Sequence, residues 1–325
     1  MAVRRRKSSS KKTRGAPSTD EKATFETKKT RGGLWMVFGL VLVAGIGALW
    51  GILLPFNADA PAETARTLVE ESPIPEKPRF TTYGGFEILR TIPHDSNSYT
   101  QGLELHNGLL YESAGHYNQS NLRQVNPEDG SVVKQTPLEA QYFAEGITRY
   151  RRRWIQLTWR EKTALFYDDY LNLLDRKAYN TTNGDGWGIC FDPQDDVLYV
   201  VDGSQYLHKW DPETLEEQSK VEVKWQRQGM EKPERLIYLN ELEWDASTGT
   251  VLANLLFQNV ILRIDPKDGF VTKIYDFNNL WADRPDDADV FNGIALTEEP
   301  DEIWVTGKWW PSMYLVRLLE THPYA

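Results

Sequence analysis

Cysteine is nearly absent: Cys190 is the only one in 325 residues, so neither a disulfide framework nor a thiolate metal cluster can form. On its apolar strand it reads as a small core residue. Histidine is scarce as well. The five, at 94, 106, 116, 208 and 322, show neither HExxH spacing nor a partner cluster, which argues against catalytic zinc. No glycine-rich phosphate loop and no GxSxG elbow is present, so neither nucleotide binding nor serine hydrolysis is suggested. No metal and no cofactor is expected. Beyond the N-terminal region no apolar stripe of helical period persists across about 12 residues, which removes the helical fold classes.

What is present falls into two electrostatic parts. Residues 1–31 hold eleven Lys/Arg against three acids, leaving about −18 for the rest of a chain whose formal net charge is −10. The basic head, from Arg4 to Lys12 above all, has almost no apolar surface to offset the entropy of ordering it, so a disordered tail is expected. A nucleic-acid arm is one reading and a topogenic flank the other. The flank is favoured, because residues 32–56 are 25 uncharged residues, long enough to cross the about 30 Å of a bilayer core as a helix. The Lys/Arg excess before this run, against Asp59, Glu63, Glu70 and Glu71 after it, places the N-terminus in the cytoplasm and the remainder outside. A cleavable signal peptide is the rival reading, since Ala58-Asp59-Ala60 resembles a cleavage site. Residues 57–80, with Pro61, Pro73, Pro75 and Pro78, read as a semi-extended linker.

From 81 to 325 the pattern is short β-branched and aromatic runs bounded by turn residues, such as WIQLTW (154–159), VLYVV (197–201) and EIWVT (302–306). This is an all-β domain, and it repeats. Thr100-Gln101-Gly102, Ala144-Glu145-Gly146, Gly186-Trp187-Gly188, Asn240-Glu241-Leu242 and Phe291-Asn292-Gly293 each precede an apolar strand, their central residues 44, 42, 54 and 51 apart. A second series, Asn126-Pro127, Asp168-Asp169, Asp211-Pro212 and Asp265-Pro266, keeps the same register. A period in the forties with about four strands per unit predicts a β-propeller, here five-bladed. The last unit is short of a strand, and FEILRTI (86–92) can complete it and close the ring. The wider third gap holds a polar insertion, 225–236, expected on a loop near one face.

The innermost strand of each blade starts at the channel mouth, so Gln101, Glu145, Trp187, Glu241 and Asn292 should ring one axis. Carboxylates and amides buried there are costly unless paired or hydrated, which leaves a water-filled structural channel or a working site. Trp159 ends the strand that returns toward Glu145. Lys308 lies between Gly307 and the indoles Trp309 and Trp310, where it is either a surface cation–π contact or an oxyanion donor.

The segments TQGLE (100–104), LYESAGHYNQSNLR (110–123), FAEGIT (143–148), QLTW (156–159), GDGWGI (184–189), DGSQYL (202–207), LNELE (239–243), NGIA (292–295) and VTGKWWP (305–311) together resemble the plant-type glutaminyl-peptide cyclotransferases over about residues 86–318. The resemblance implies a metal-free five-bladed propeller that converts N-terminal glutamine to pyroglutamate with release of ammonia. It implies Glu145 as acid/base, Gln101, Trp159, Trp187, Asn240 and Lys308 as its channel neighbours, and Tyr99 and Phe143 as pocket walls. The sequence departs from the family pattern at Ala144, His116 and Asn118 and in the 225–236 insertion.

The chemistry suits these side chains. The substrate's α-amine attacks its own γ-carboxamide carbon, so one carboxyl can take a proton from the amine and give one to the departing nitrogen. Glu145 is the expected shuttle, its pKa raised by enclosure and by Glu241 and opposed by Lys308. Lys308 and Asn240 are the expected oxyanion donors. Gln101, Tyr99, Phe143, Trp159, Trp187, Glu241, Asn292 and Trp310 are the expected substrate-binding set, and Glu112 is expected to support its loop. The expected partners are peptides or exported proteins with N-terminal Gln and one membrane, with no nucleic acid, and the protein is expected to be a monomer. A catalytically silent propeller that binds peptides or scaffolds a partner is the alternative, and intact Glu145, Lys308, Trp159 and Trp187 argue for the enzyme.

Overall fold

The structure, a computed structural model, describes residues 79–321 except 282–283 and 286–287. The predicted tail 1–31, membrane span 32–56 and all but the last two residues of linker 57–80 lie outside the described residues. Every regular element described is a strand, and among the described residues no helix is long and apolar enough to cross a membrane.

The described residues open with β1 (Thr82–Pro93). It continues through β2 (Thr100–His106), β3 (Leu109–Ala114), β4 (Asn121–Val125) and β5 (Val132–Pro137), a four-stranded sheet paired in that order. The same path recurs in β6 (Ala144–Tyr150), β7 (Arg153–Thr158), β8 (Thr163–Tyr167) and β9 (Leu173–Ala178), and again in β10 (Ile189–Asp192), β11 (Val197–Val200), β12 (Tyr206–Trp210) and β13 (Glu217–Glu222). Two short strands, β14 (Lys224–Trp225) and β15 (Glu234–Arg235), precede β16 (Leu239–Asp245), β17 (Thr250–Leu255), β18 (Val260–Asp265) and β19 (Phe270–Asp276). The last described elements are β20 (Phe291–Leu296), β21 (Glu302–Gly307) and β22 (Ser312–Leu319).

The predicted completion of the last sheet by 86–92 is found. β1 runs antiparallel to β22 from Phe86↔Leu318 to Ile92↔Met313 and, at its start, parallel to β19 with Thr82↔Lys273. The 225–236 insertion does not reach the channel. It forms the β14–β15 hairpin against the outer strand β19, where Gln226 O accepts from Thr81 N at 2.7 Å.

First strands are mostly buried, whereas β5, β9 and β13 are mostly exposed and carry charges such as Lys134, Arg176 and Lys220. Charged outer strands discourage edge-to-edge pairing. The core lies between neighbouring sheets. Tyr111, Leu122, Ile147, Trp154 and Leu165 fill one such junction, and Leu103, Leu110, Trp304 and Met313 fill the one between the first and last sheets. First strands touch in a closed sequence, β2 to β6 to β10 to β16 to β20 and back to β2. The overall architecture is all-β and propeller-like.

Candidate active site

The repeated tripeptide is a backbone device. In β2, β6, β16 and β20 the pairing register shifts at it: Ala144 pairs with Thr158 but Ile147 with Gln156, Leu239 with Leu255 but Leu242 with Ala253, and Phe291 with Gly307 but Ile294 with Val305. A bulge of this kind re-aims a side chain off the sheet. Gln101, Glu145 and Asn240 are turned by their bulges into one cavity of about 360 Å³, joined there by Trp187 just ahead of β10. Tyr99, Phe143, Trp159 and Lys308 complete its walls. The volume lies in the about 300–1,000 Å³ range of small-ligand sites.

Glu145 is 5% exposed, and Gln101 Nε2 donates to its Oε1 at 3.2 Å. Burial pushes its carboxyl up to about 8; Lys308 opposes the rise, while Asp185 and Glu161 add to it. The like charges are therefore these two acids, in place of the expected Glu241. Lys308 is 4% exposed, its Nζ 4.9 Å from the centre of the Tyr99 ring. Burial lowers its pKa against the pull of Glu145 and Asp289. Two backbone bonds, Asp289 N to Lys308 O at 3.1 Å and Lys308 N to Val290 O at 2.9 Å, fix the lysine beside that acid. Burial and a hydrogen bond to Asp289 keep the Tyr99 hydroxyl protonated. Trp159 Nε1 donates to Asp185 Oδ2 at 3.0 Å, which locks the indole as a wall.

Glu112 lies behind this wall, fully buried. Its Oε1 accepts from Ser98 Oγ at 2.5 Å, Thr100 Oγ1 at 2.7 Å and His94 Nε2 at 3.0 Å. His94 Nδ1 faces the Trp310 carbonyl at 2.7 Å, an atom that can only accept, so both ring nitrogens donate and His94 is an imidazolium. Burial works against both charges, yet the pair holds: His94 is raised, and His94, Arg123 and the hydroxyls bring Glu112 down to about 2. Ser98, Thr100 and Trp310 flank Tyr99, Gln101 and the Lys308 turn, so one carboxylate positions three parts of the pocket.

Three predicted binding residues do not reach the cavity. Glu241 occupies the second position of its bulge, where Gly102, Gly146, Gly188 and Gly293 stand in the other sheets. Its carboxylate points along the channel, accepting from Leu103 N at 3.2 Å and from Ile294 N. Asn240 is thus the counterpart of Glu145, and the alignment on Glu241 is one residue out of register. Asn292 is fully buried and donates from Nδ2 to Thr100 O at 3.0 Å, tying β20 to β2. Trp310 folds back over Gly307, where a Cβ would lie 2.2 Å from the indole, and packs on Phe291 and Trp281. Its neighbour Trp309 lines the cavity instead. Sequence reasoning missed Asp289, which no repeat marks. Asp185 was missed too, though it lies in the quoted GDGWGI segment.

Among the described residues no group of three or more His, Cys, Asp or Glu is arranged to hold a metal ion. Residues 62–318 match the model of the glutamine cyclotransferase family. A glutaminyl-peptide cyclotransferase of Arabidopsis thaliana is 33% identical over 239 residues, covering 71% of this chain and 71% of the relative. Among solved structures, the glutaminyl cyclase of Myxococcus xanthus is 30% identical, with a TM-score of 0.64 over 74% of this chain and 98% of its own.

Proposed function

Because the chain belongs to the glutamine cyclotransferase family, we propose that its cavity converts the N-terminal glutamine of peptides to pyroglutamate, with Glu145 carrying the protons. The enzyme is an acyltransferase: the glutamine side-chain acyl group passes from its amide nitrogen to the substrate's own α-amine. The amine nitrogen bonds to the γ-carboxamide carbon and gives up a proton to the Glu145 carboxylate. The tetrahedral intermediate then collapses, its carbon–nitrogen bond breaks, and Glu145 returns the proton so that ammonia leaves. Lys308 and Asn240 face the developing oxyanion as donors. Tyr99, Phe143, Trp159 and Trp187 hold the folded-back conformer and exclude water.

The observation that carries this reading is one carboxyl, poised at about 8 by burial, enclosed with a buried lysine in a cavity walled by aromatic rings. A proton shuttle works best with its pKa near the operating pH. The closed contact sequence of the first strands, the junction clusters and the β1–β22 pairing support a five-bladed propeller around this cavity. The uncharged run 32–56 and the basic residues before it support an enzyme anchored by one helix that acts on exported peptides outside the cytoplasm.

The test is mass spectrometry of a short Gln-initiated peptide incubated with the purified protein. The peptide should lose the mass of one ammonia, and turnover should persist in EDTA. An unchanged peptide would contradict the activity, and loss of turnover on chelation without unfolding would contradict the carboxylate mechanism.

A further inference from the structure

Aromatic side chains crowd the mouth of this cavity on backbone that does not favour them. Phe257, in the turn between β17 and β18, is 70% exposed at φ 65°. Trp309 is 38% exposed at φ 62°, and Tyr238 47% at φ 69°. Bulky residues are genuine outliers in the left-handed region, where glycine or asparagine is comfortable. Such strain is costly and concentrates at functional sites. Phe257 and Trp309 line the cavity, and Tyr238 stacks on the wall residue Trp187 at 6.5 Å. The backbone holds two of them directly and the neighbour of the third: Trp309 N donates to Ser98 O at 2.7 Å, and Leu256 N, next to Phe257, donates to Tyr238 O at 2.9 Å. None of this surface is needed to fill the core.

Building on the cyclase reading, we propose that Phe257 and Trp309 form a subsite for the residue following the N-terminal glutamine, selecting peptides with an apolar or aromatic side chain there. The glutamine amide and α-amine must both lie by Glu145 and Lys308 in the cavity. The first peptide carbonyl and the second residue therefore leave through the mouth, between these two rings. Beyond Trp309 a groove of about 460 Å³ begins, with Asn97 and Gln119 on its wall, so the departing chain stays against protein.

The experiment compares initial rates on the dipeptide amides Gln-Phe, Gln-Asn and Gln-Gly for the wild type, Phe257→Asn and Val133→Ser. Asparagine keeps the left-handed turn, and Val133 is an exposed apolar residue on the outer strand β5. Gln-Phe should exceed Gln-Gly and Gln-Asn by about tenfold in kcat/KM, carried by KM, the scale of one added apolar contact in a specificity site. Phe257→Asn should bring the ratio close to one, and Val133→Ser should leave it unchanged. Equal rates on all three in the wild type, or a ratio that survives Phe257→Asn, would overturn the subsite and leave the cyclase reading standing. No turnover of any of them would overturn the cyclase reading and the subsite with it.

Discussion

A carboxyl that both takes and gives a proton must lie where its two forms are close in free energy, and burial supplies that condition for Glu145. With its pKa near 8, the free enzyme is mostly protonated below that pH, so kcat/KM should rise as pH climbs through about 8. Lys308 holds that value down, so Lys308→Met should move the rising limb to higher pH as well as slow turnover. A limb that stays in place would remove Lys308 from the electrostatics of the site. Glu112 has the opposite environment, held ionised at about 2 by a buried imidazolium. Glu112→Gln leaves His94 unpaired, and breaking a buried pair costs about 3–5 kcal/mol. The variant should melt markedly lower while its folded fraction keeps the wild-type pH limb.

At the scale of the element, the bulge explains both what the sequence discloses and what it hides. Gln101, Glu145 and Trp187 are legible because each is followed by a glycine that lets one first strand approach the next: a Cβ on Gly146 would lie 2.6 Å from Trp187 O, and one on Gly188 2.0 Å from Asn240 O. The fourth sheet puts Glu241 at this position, so the marker is lost and the register slips by one. Trp309 and Trp310 are adjacent in sequence, and only the turn at Gly307 decides which indole is buried. Asp289 belongs to no strand and reaches Lys308 through the fold alone. Gly188→Ala should therefore push Asn240 away from the cavity, costing about 1–3 kcal/mol by overpacking. Melting temperature and kcat should fall together; a variant with unchanged melting would show that the first strands do not need this close approach.

The whole molecule stores several carboxylates in its channel. Three residues beyond Gln101 and Asn240 on the same strands, Glu104 and Glu243 line a second cavity of about 440 Å³. Burial raises Glu104 to about 7, and raises Glu241 and Glu243 well above their ordinary range. Acids with raised folded pKa values bind protons that the unfolded chain has already lost. Their stability is full below about 4.5 and drains away as pH rises through about 7 to 8. Glu112 acts in the other direction, its contribution lost only as pH falls toward about 2, and Lys308, lowered by burial, opposes the loss at alkaline pH. Thermal melting should thus be higher near pH 5 than near pH 8, and Glu243→Gln should flatten that slope; a slope unchanged in the variant would mean the channel acids are already ionised.

The central claim, that this channel is a proton-shuttling active site, is tested most directly by following ammonia loss from a Gln-initiated peptide with Glu145→Gln beside Glu112→Gln. Glu145→Gln should fold normally and lose turnover by roughly 10²–10⁴, the usual cost of removing a general acid/base. Near-normal turnover in Glu145→Gln, with Glu112→Gln folded but inactive, would place the chemistry one strand away and contradict the account.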